Sequence, residues 1–203
     1  MGVKERRQRE KENLRQEIFD AASELFSEEG FANVSMRKIA EKIEYSPATI
    51  YLHFKDKGDL LQQICEDTFA HLGKRLEDIE IKYGKTFEGL KRGLKAYIEF
   101  GLEYPKQYEV TFMMPLKSYL GDGELAFEDS MGKRAFEYLQ NQVTTCMEND
   151  ELKRDDPEEV SQALWAGAHG VTSLMIAHCA FPFVSPERLI DKTIELMLDG
   201  LKT

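Results

Sequence analysis

Residues 34–60 read VSMRKIAEKIEYSPATIYLHFKDKGDL, and the pattern of this stretch decides the fold. Ser35 precedes Met36, Ile39, Ala40 and Ile43, apolar residues three and four apart, which predicts a capped amphipathic helix. Ser46 followed by Pro47 marks a second start, an N-cap and then the first helical position. Ile50 and Phe54 supply its apolar face one turn apart. Two short helices across a tight turn form a helix-turn-helix candidate. Arg37 and Lys38 fall in the first turn of their helix, where the macrodipole disfavours cations. A nearby phosphate would reverse that sign.

Moving outward towards the N-terminus, Leu14, Ile18, Ala21, Ala22 and Leu25 share one stripe, Gly30 offers a left-handed stop, and Phe31 offers the apolar contact that follows it. This predicts a helix of about five turns, preceded by a mobile basic arm over residues 1–8. Its stripe is expected to pack on Ile39, Ile43, Ile50 and Phe54 in a small three-helix core. On the other side Asp56 caps a longer helix, with Asp59 three positions on in the manner of a capping box and Leu60, Leu61, Ile64, Phe69 and Leu72 to bury.

Beyond Gly84 no β-alternation appears, and helices are predicted at about 85–103, 105–113, 124–149, 157–180 and 186–201. Pro105, the Gly121 to Gly123 turn, Asp156 before Pro157, and Ser185 before Pro186 mark their limits. The expected architecture is all-α, with about nine helices. An arm and helix-turn-helix domain over 1–60 joins a larger helical domain over 61–203.

The chain of 203 residues carries a net charge of -10, which at first argues against a nucleic-acid partner. Its distribution removes the objection. Residues 1–60 hold 11 basic and 12 acidic side chains, so nearly all the excess acidity lies in residues 61–203. Within residues 1–15, six cations (Lys4, Arg6, Arg7, Arg9, Lys11, Arg15) face three acids, and this basic segment adjoins the helix-turn-helix. Cys65, Cys146 and Cys179 are widely spaced with no CxxC pair, which signals neither a disulfide framework nor zinc and fits a cytoplasmic location. The longest apolar stretch, around 171–184, is interrupted by polar residues and Pro, so no membrane anchor is expected.

From Ile18 to Leu61 the pieces AASELFSEEGFANVSMRKIAEKI and YSPATIYLHFKDKGDLL resemble the N-terminal domain of the tetracycline-repressor (TetR) family of one-component transcription regulators. WAGAHGV, from Trp165 to Val171, looks like a motif in one subgroup of the family's C-terminal domains. The resemblance implies DNA binding by the helix-turn-helix and an all-helical region for ligand binding and dimerisation.

Each position also has a physical role in that setting. Ser35 and Arg37 can reach one phosphate strand. A recognition helix over 47–53 spans about 10 Å at 1.5 Å per residue, enough to enter a major groove about 12 Å wide. With Ile50 and Phe54 turned inward, Pro47, Ala48, Thr49 and Leu52 are left to approach base edges, and Tyr51 and His53 to bond phosphates. Lys55 and Lys57 stand at the start of the next helix as further phosphate ligands. In the turn, Glu44 replaces the Gly common in the family, at a cost of about 1 kcal/mol in a left-handed conformation. Tyr45 replaces a smaller apolar residue and is expected to extend the DNA-facing surface. With Ser46, these residues make up the expected contact set.

Residues 85–180 are rich in aromatic and Met side chains, which suit an apolar or amphipathic effector pocket between helices. Tyr97, Phe100, Tyr104, Phe112, Met113, Phe136, Trp165 and His169 are the candidates. The alternative for most of them is plain core, and for His169 a hydrogen-bonded interior position. Small residues Ala163, Ala166, Gly167 and Gly170, together with Leu174, Leu189, Thr193, Leu196 and Met197, allow close helix approach. In the family the last two helices form a two-fold bundle between subunits, matched to an inverted-repeat operator.

The leading expectation is thus a dimeric repressor released from an operator by a small apolar or amphipathic effector. A helical small-molecule- or protein-binding module without DNA-binding activity is the alternative. An enzyme finds little support, because HExxH, ExxH, GxSxG and Gly-rich phosphate motifs are missing. No metal or cofactor is called for.

Overall fold

The computed structural model describes residues 2–120, 130–177 and 180–202. Among these residues there are ten α-helices and no strand, with one isolated antiparallel bridge between Leu152 and Lys202. The helices are α1 (Val3–Glu29), α2 (Met36–Lys42), α3 (Pro47–Tyr51), α4 (Lys57–Tyr83), α5 (Phe87–Glu103), α6 (Pro105–Tyr108), α7 (Leu116–Leu120), α8 (Met131–Glu148), α9 (Pro157–Ala177) and α10 (Pro186–Asp199). A π-turn over Glu109–Met113 follows α6. The Gly121 to Gly123 turn, the start of the helix expected at 124–149, and Cys179 lie outside the described residues.

The described residues fall into two compact units. The first takes in residues 2–68 and 106–120, the second residues 69–105 and everything from 130 on. The sequence reading puts the boundary at 60/61. The grouping by contact passes from one unit to the other within α4 and places α6, the π-turn and α7 with the helix-turn-helix.

In the first unit, Ile18, Phe19, Ala22 and Phe26 of α1 are buried against Ile39 and Ala40 of α2, Ile50 and Phe54 around α3, and Leu60, Leu61 and Ile64 of α4. Val110 and Leu120 close the same cluster. Full burial of each Ile or Leu stabilises the fold by about 1.5–3 kcal/mol, so this core holds the short helices α2 and α3, which could not persist alone. Phe19 meets Phe54 with ring centroids 5.6 Å apart.

Two local expectations change. The helix α1 begins at Val3, so the segment expected as a mobile arm is helical. The Arg6–Glu10 pair at 2.8 Å, the Gln8–Glu12 hydrogen bond at 2.8 Å, and Gly2 N donating to Glu5 Oε2 at 2.9 Å supply the local reasons. Gly30 does stop the helix with φ 81°, but its ψ of 146° is the glycine-only extended region rather than the left-handed helical one. Its N–H still returns to Phe26 O at 3.0 Å.

The second unit packs α5, α8, α9 and α10 on one another. Leu90, Leu94 and Ile98 of α5, Val143 of α8, Leu164 of α9 and Ile190, Ile194 and Leu198 of α10 are buried. Gly84, at φ 69°, ends α4 with its N–H on Glu80 O, and Thr86 Oγ1 then accepts from Gly89 N at 3.1 Å to start α5. No helix among the described residues is long and apolar enough to cross a membrane.

Candidate nucleic-acid interface

The candidate interface is built from α2, the turn after it, α3 and the first turn of α4. Ser35 Oγ accepts from Lys38 N at 3.2 Å and Ser46 Oγ from Thr49 N at 3.2 Å, so both serines are N-caps. Thr49 Oγ1 also lies 2.9 Å from Ser46 Oγ. Glu44 holds φ 59°, the left-handed turn in which glycine would be free of strain, and Tyr45 N returns to Ala40 O at 2.9 Å. The turn therefore keeps its geometry despite Glu44.

α3 ends at Tyr51, short of the His53 end expected of it. Leu52 caps it, and His53 and Phe54 both return their N–H groups to Ile50 O. Ile50 and Phe54 are buried, as their spacing required. The outer side carries Tyr45 (44 % exposed), Tyr51 (55 %) and Leu52 (84 %), with Ser46 and Ala48 exposed and Pro47 and Thr49 half-buried. Leu52 is the most open apolar side chain here, and the opposite face, with Ile50 and Phe54, is buried.

The cations divide into two groups. Lys55 is exposed, its backbone N–H held by Asp59 Oδ2 at 2.7 Å, while Asp59 N is capped by Asp56 Oδ1 at 2.9 Å. Arg37 is exposed and pairs with Glu41 at 2.8 Å, which raises its pKa. Lys38 pairs with Glu29 of α1, so the charge that looked unfavourable at a helix start is balanced from the neighbouring helix.

Lys57 stands differently from the phosphate role expected of it. Its ammonium donates to Phe31 O at 2.5 Å and Val34 O at 2.7 Å and sits 4.2 Å from the Phe31 ring centroid. This side chain ties the start of α4 to the segment that leads into α2. No local sequence pattern foretells it, because the partners are 26 and 23 residues away.

His53 is half-buried, and its pKa is lowered below the usual histidine value by burial first and then by the charges of Lys11 and Arg15. Arg15 stacks over Phe19, with 5.0 Å from Cζ to the centroid, and Phe19 meets Phe54 beside His53. Sequence reasoning places Lys11 and Arg15 only in a basic segment. Their place beside the end of α3 follows from the packing of α1.

Of the residues expected around an effector, the structure brings four together in the second unit. Trp165 Nε1 donates to Tyr97 Oη at 3.1 Å, and the Trp165 ring lies 6.2 Å from Phe136 and 6.1 Å from His169. Ser173 Oγ is 3.2 Å from His169 Nε2, and burial lowers the pKa of this histidine. Phe100 and Tyr104 pair separately at 5.1 Å, Phe100 buried and Tyr104 exposed. Phe112 and Met113 belong to the first unit, where Phe112 stacks on Tyr108 at 4.6 Å.

Comparison with known proteins agrees with this geometry. Residues 18–64 match the model of the bacterial regulatory proteins of the tetR family, and residues 90–201 match the tetracyclin repressor-like C-terminal domain. An HTH-type transcriptional regulator of Staphylococcus aureus (strain USA300) is 33 % identical over 150 residues, covering 68 % of this chain and 80 % of the relative. Among solved structures, a TetR family transcription regulator from Marinobacter aquaeolei VT8 superposes with a TM-score of 0.77 at 21 % identity, over 97 % of this chain and 98 % of the other. The TetR family transcriptional regulator PfmR from Thermus thermophilus gives 0.72 at 23 % identity, over 92 % and 96 %. With a helix-turn-helix of the matching design and both family models spanning most of its length, this chain belongs to the TetR family of DNA-binding transcriptional regulators.

Proposed function

We propose that the protein represses transcription by binding an inverted-repeat operator as a homodimer, and that a small apolar or amphipathic effector releases it. The observation that carries the DNA contact is the outer side of α3, where Tyr51 and Leu52 stand out above buried Ile50 and Phe54. Ala48, Thr49 and Leu52 meet base edges, with Leu52 suited to a thymine methyl. Ser35, Arg37, Tyr51 and Lys55 hold phosphates on either side. Lys57 acts in this scheme as a positioning residue that fixes the two phosphate-binding turns relative to each other.

The last two helices support dimerisation. Ala163, Ala166 and Leu174 of α9 are exposed, with Gly170 between them on the same stripe. Leu196 of α10 is 67 % exposed. Gly167 lets Met197 of α10 approach so closely that a Cβ there would fall 2.2 Å from its sulfur. An apolar, small-residue face of two packed helices suits an isologous four-helix contact, and a two-fold dimer matches an inverted-repeat operator. Monomers at micromolar concentration in analytical ultracentrifugation would refute this assembly.

For the effector, the Tyr97–Trp165–His169 cluster with Phe136 offers two separate polar contacts, Trp165 to Tyr97 and His169 to Ser173, in an aromatic setting. Effector binding would favour the conformation with the wrong spacing of recognition helices, to the extent of its differential affinity. Selection of bound duplexes from random DNA, with and without a panel of apolar ligands, tests the whole reading. A palindromic consensus lost on adding one ligand class is expected. Absence of enriched sequences, or binding that does not depend on salt, would overturn it.

A further inference from the structure

The face of α1 that is buried against the helix-turn-helix does not end where the core ends. Ile18, Ala22 and Leu25 lie on it, and over the preceding turns the same face carries Arg15, Lys11, Arg7 and Lys4. All four are exposed, and residues 4–13 of the helix are exposed on every side. The acids of this segment stand outside the arc. Glu5 caps Gly2 N, Glu10 pairs with Arg6, and Glu12 accepts from Gln8. Lys4, Arg7 and Lys11 make no ion pair among the described residues.

The direction of this face is fixed by packing. Arg15 lies over Phe19, Phe19 meets Phe54, and Phe54 is next to His53 at the end of α3. Lys11, one turn before Arg15, is close enough to act on His53 as well. The cation row therefore starts beside the DNA-reading helix and runs away from it along the helix. Over residues 3–13 the helix extends about 16 Å at 1.5 Å per residue. Duplex DNA carries on the order of nine phosphate charges in that length.

We propose that this overhang of α1 is a second DNA contact, a helical strut whose Lys4, Arg7 and Lys11 bind backbone phosphates flanking each half-site without reading bases. The inference rests on operator binding by α3. It assigns the α1 extension a share of affinity and footprint that α3 does not supply. A helix suits the purpose better than a flexible arm, since its cations are already aligned and little ordering accompanies binding.

The test uses the full chain and its selected operator in two lengths, one trimmed to the palindrome and one with arbitrary flanks. Wild type is compared with the K4A/R7A/K11A variant by anisotropy over a salt series. Alanine preserves helicity, which circular dichroism checks. On the flanked duplex, the salt slope of the variant is expected to be shallower by about 2–3 per protomer, and scrambling the flanks leaves the affinity unchanged. On the trimmed duplex the variant loses less, a slope of about 1 per protomer from Lys11 beside His53. Equal slopes on the flanked duplex overturn the strut, as does an equal loss on both lengths, which would place these cations on the palindrome. Failure of wild type to bind either duplex would overturn operator binding itself, a result separate from both.

Discussion

Removing the ammonium of Lys57 while keeping its stem, as in Lys57→Met, distinguishes a positioning role from a phosphate ligand. In the free protein that ammonium holds two carbonyls, Phe31 O and Val34 O, and lies over the Phe31 ring. A hydrogen bond from a charged donor contributes about 1.5–3 kcal/mol when well buried. Lys57 is only half-buried, so about 1 kcal/mol for each bond is the appropriate scale. The cation–π contact adds about 0.5–1 kcal/mol. Met fills the same volume, so the change isolates the charge, and a loss of about 2–3 kcal/mol is expected. For a chain of this size each kcal/mol moves the midpoint by about 2–4 °C, giving a drop of about 4–12 °C in a calorimetric or circular-dichroism melt. Operator binding, measured well below the melt, should keep the wild-type salt slope. Lys55→Ala should instead lower the slope by about 1 per protomer. If Lys57→Met melts with wild type while its salt slope falls, the ammonium leaves its carbonyls for a phosphate and the reasoning fails.

Other perturbations follow from single distances and angles. Glu44→Gly relieves a left-handed residue at φ 59°, worth about 1–2 kcal/mol, against about 0.4–1 kcal/mol of added chain entropy. A net gain of about 0.5–1 kcal/mol in urea unfolding is expected, and a loss would mean that the Glu44 side chain supports the turn. Gly89→Ala would set a Cβ 2.2 Å from the carbonyl oxygen of Gly84, so a destabilisation of about 1–3 kcal/mol is expected. Gly73→Ala meets nothing within 4 Å and should stabilise by up to about 1 kcal/mol from helix propensity. The two variants moving in the same direction would contradict this packing. His53 has its pKa lowered in the free protein by burial and by Lys11 and Arg15, and a bound phosphate acts in the opposite sense. Operator affinity should therefore rise as pH falls through the higher pKa of the complex and level off below that of the free protein. His53→Gln should flatten the profile at constant ionic strength, and an unchanged slope in that variant would remove His53 from the interface.

How much of this was legible in the sequence varies with the range of the forces involved. Helix periodicity, the serine caps at Ser35 and Ser46, Pro47, and the turn at Glu44 are local features, and a reading within a few residues finds them. The burial of Ile50 and Phe54 also follows from their spacing, which leaves Tyr51 and Leu52 outward. The start of α1 escapes such a reading because a dense run of cations masks its capping and its i to i+4 pairs. Two of those cations, Lys11 and Arg15, acquire their meaning from His53, a residue beyond another helix.

What the sequence by itself determined is an all-helical chain with a helix-turn-helix near its start, because dihedral preference, capping and apolar period act between near neighbours; its likeness to a DNA-binding family adds the role. Only the tertiary structure decided that Lys57 closes on Phe31 and Val34, that Glu29 balances Lys38, that α6 and α7 join the first unit, and that Trp165 donates to Tyr97. These are contacts between residues far apart in the chain. Which carbonyl, carboxylate or ring a side chain meets there depends on how whole helices pack, and burial against a shared core selects that packing without leaving a pattern in any one segment.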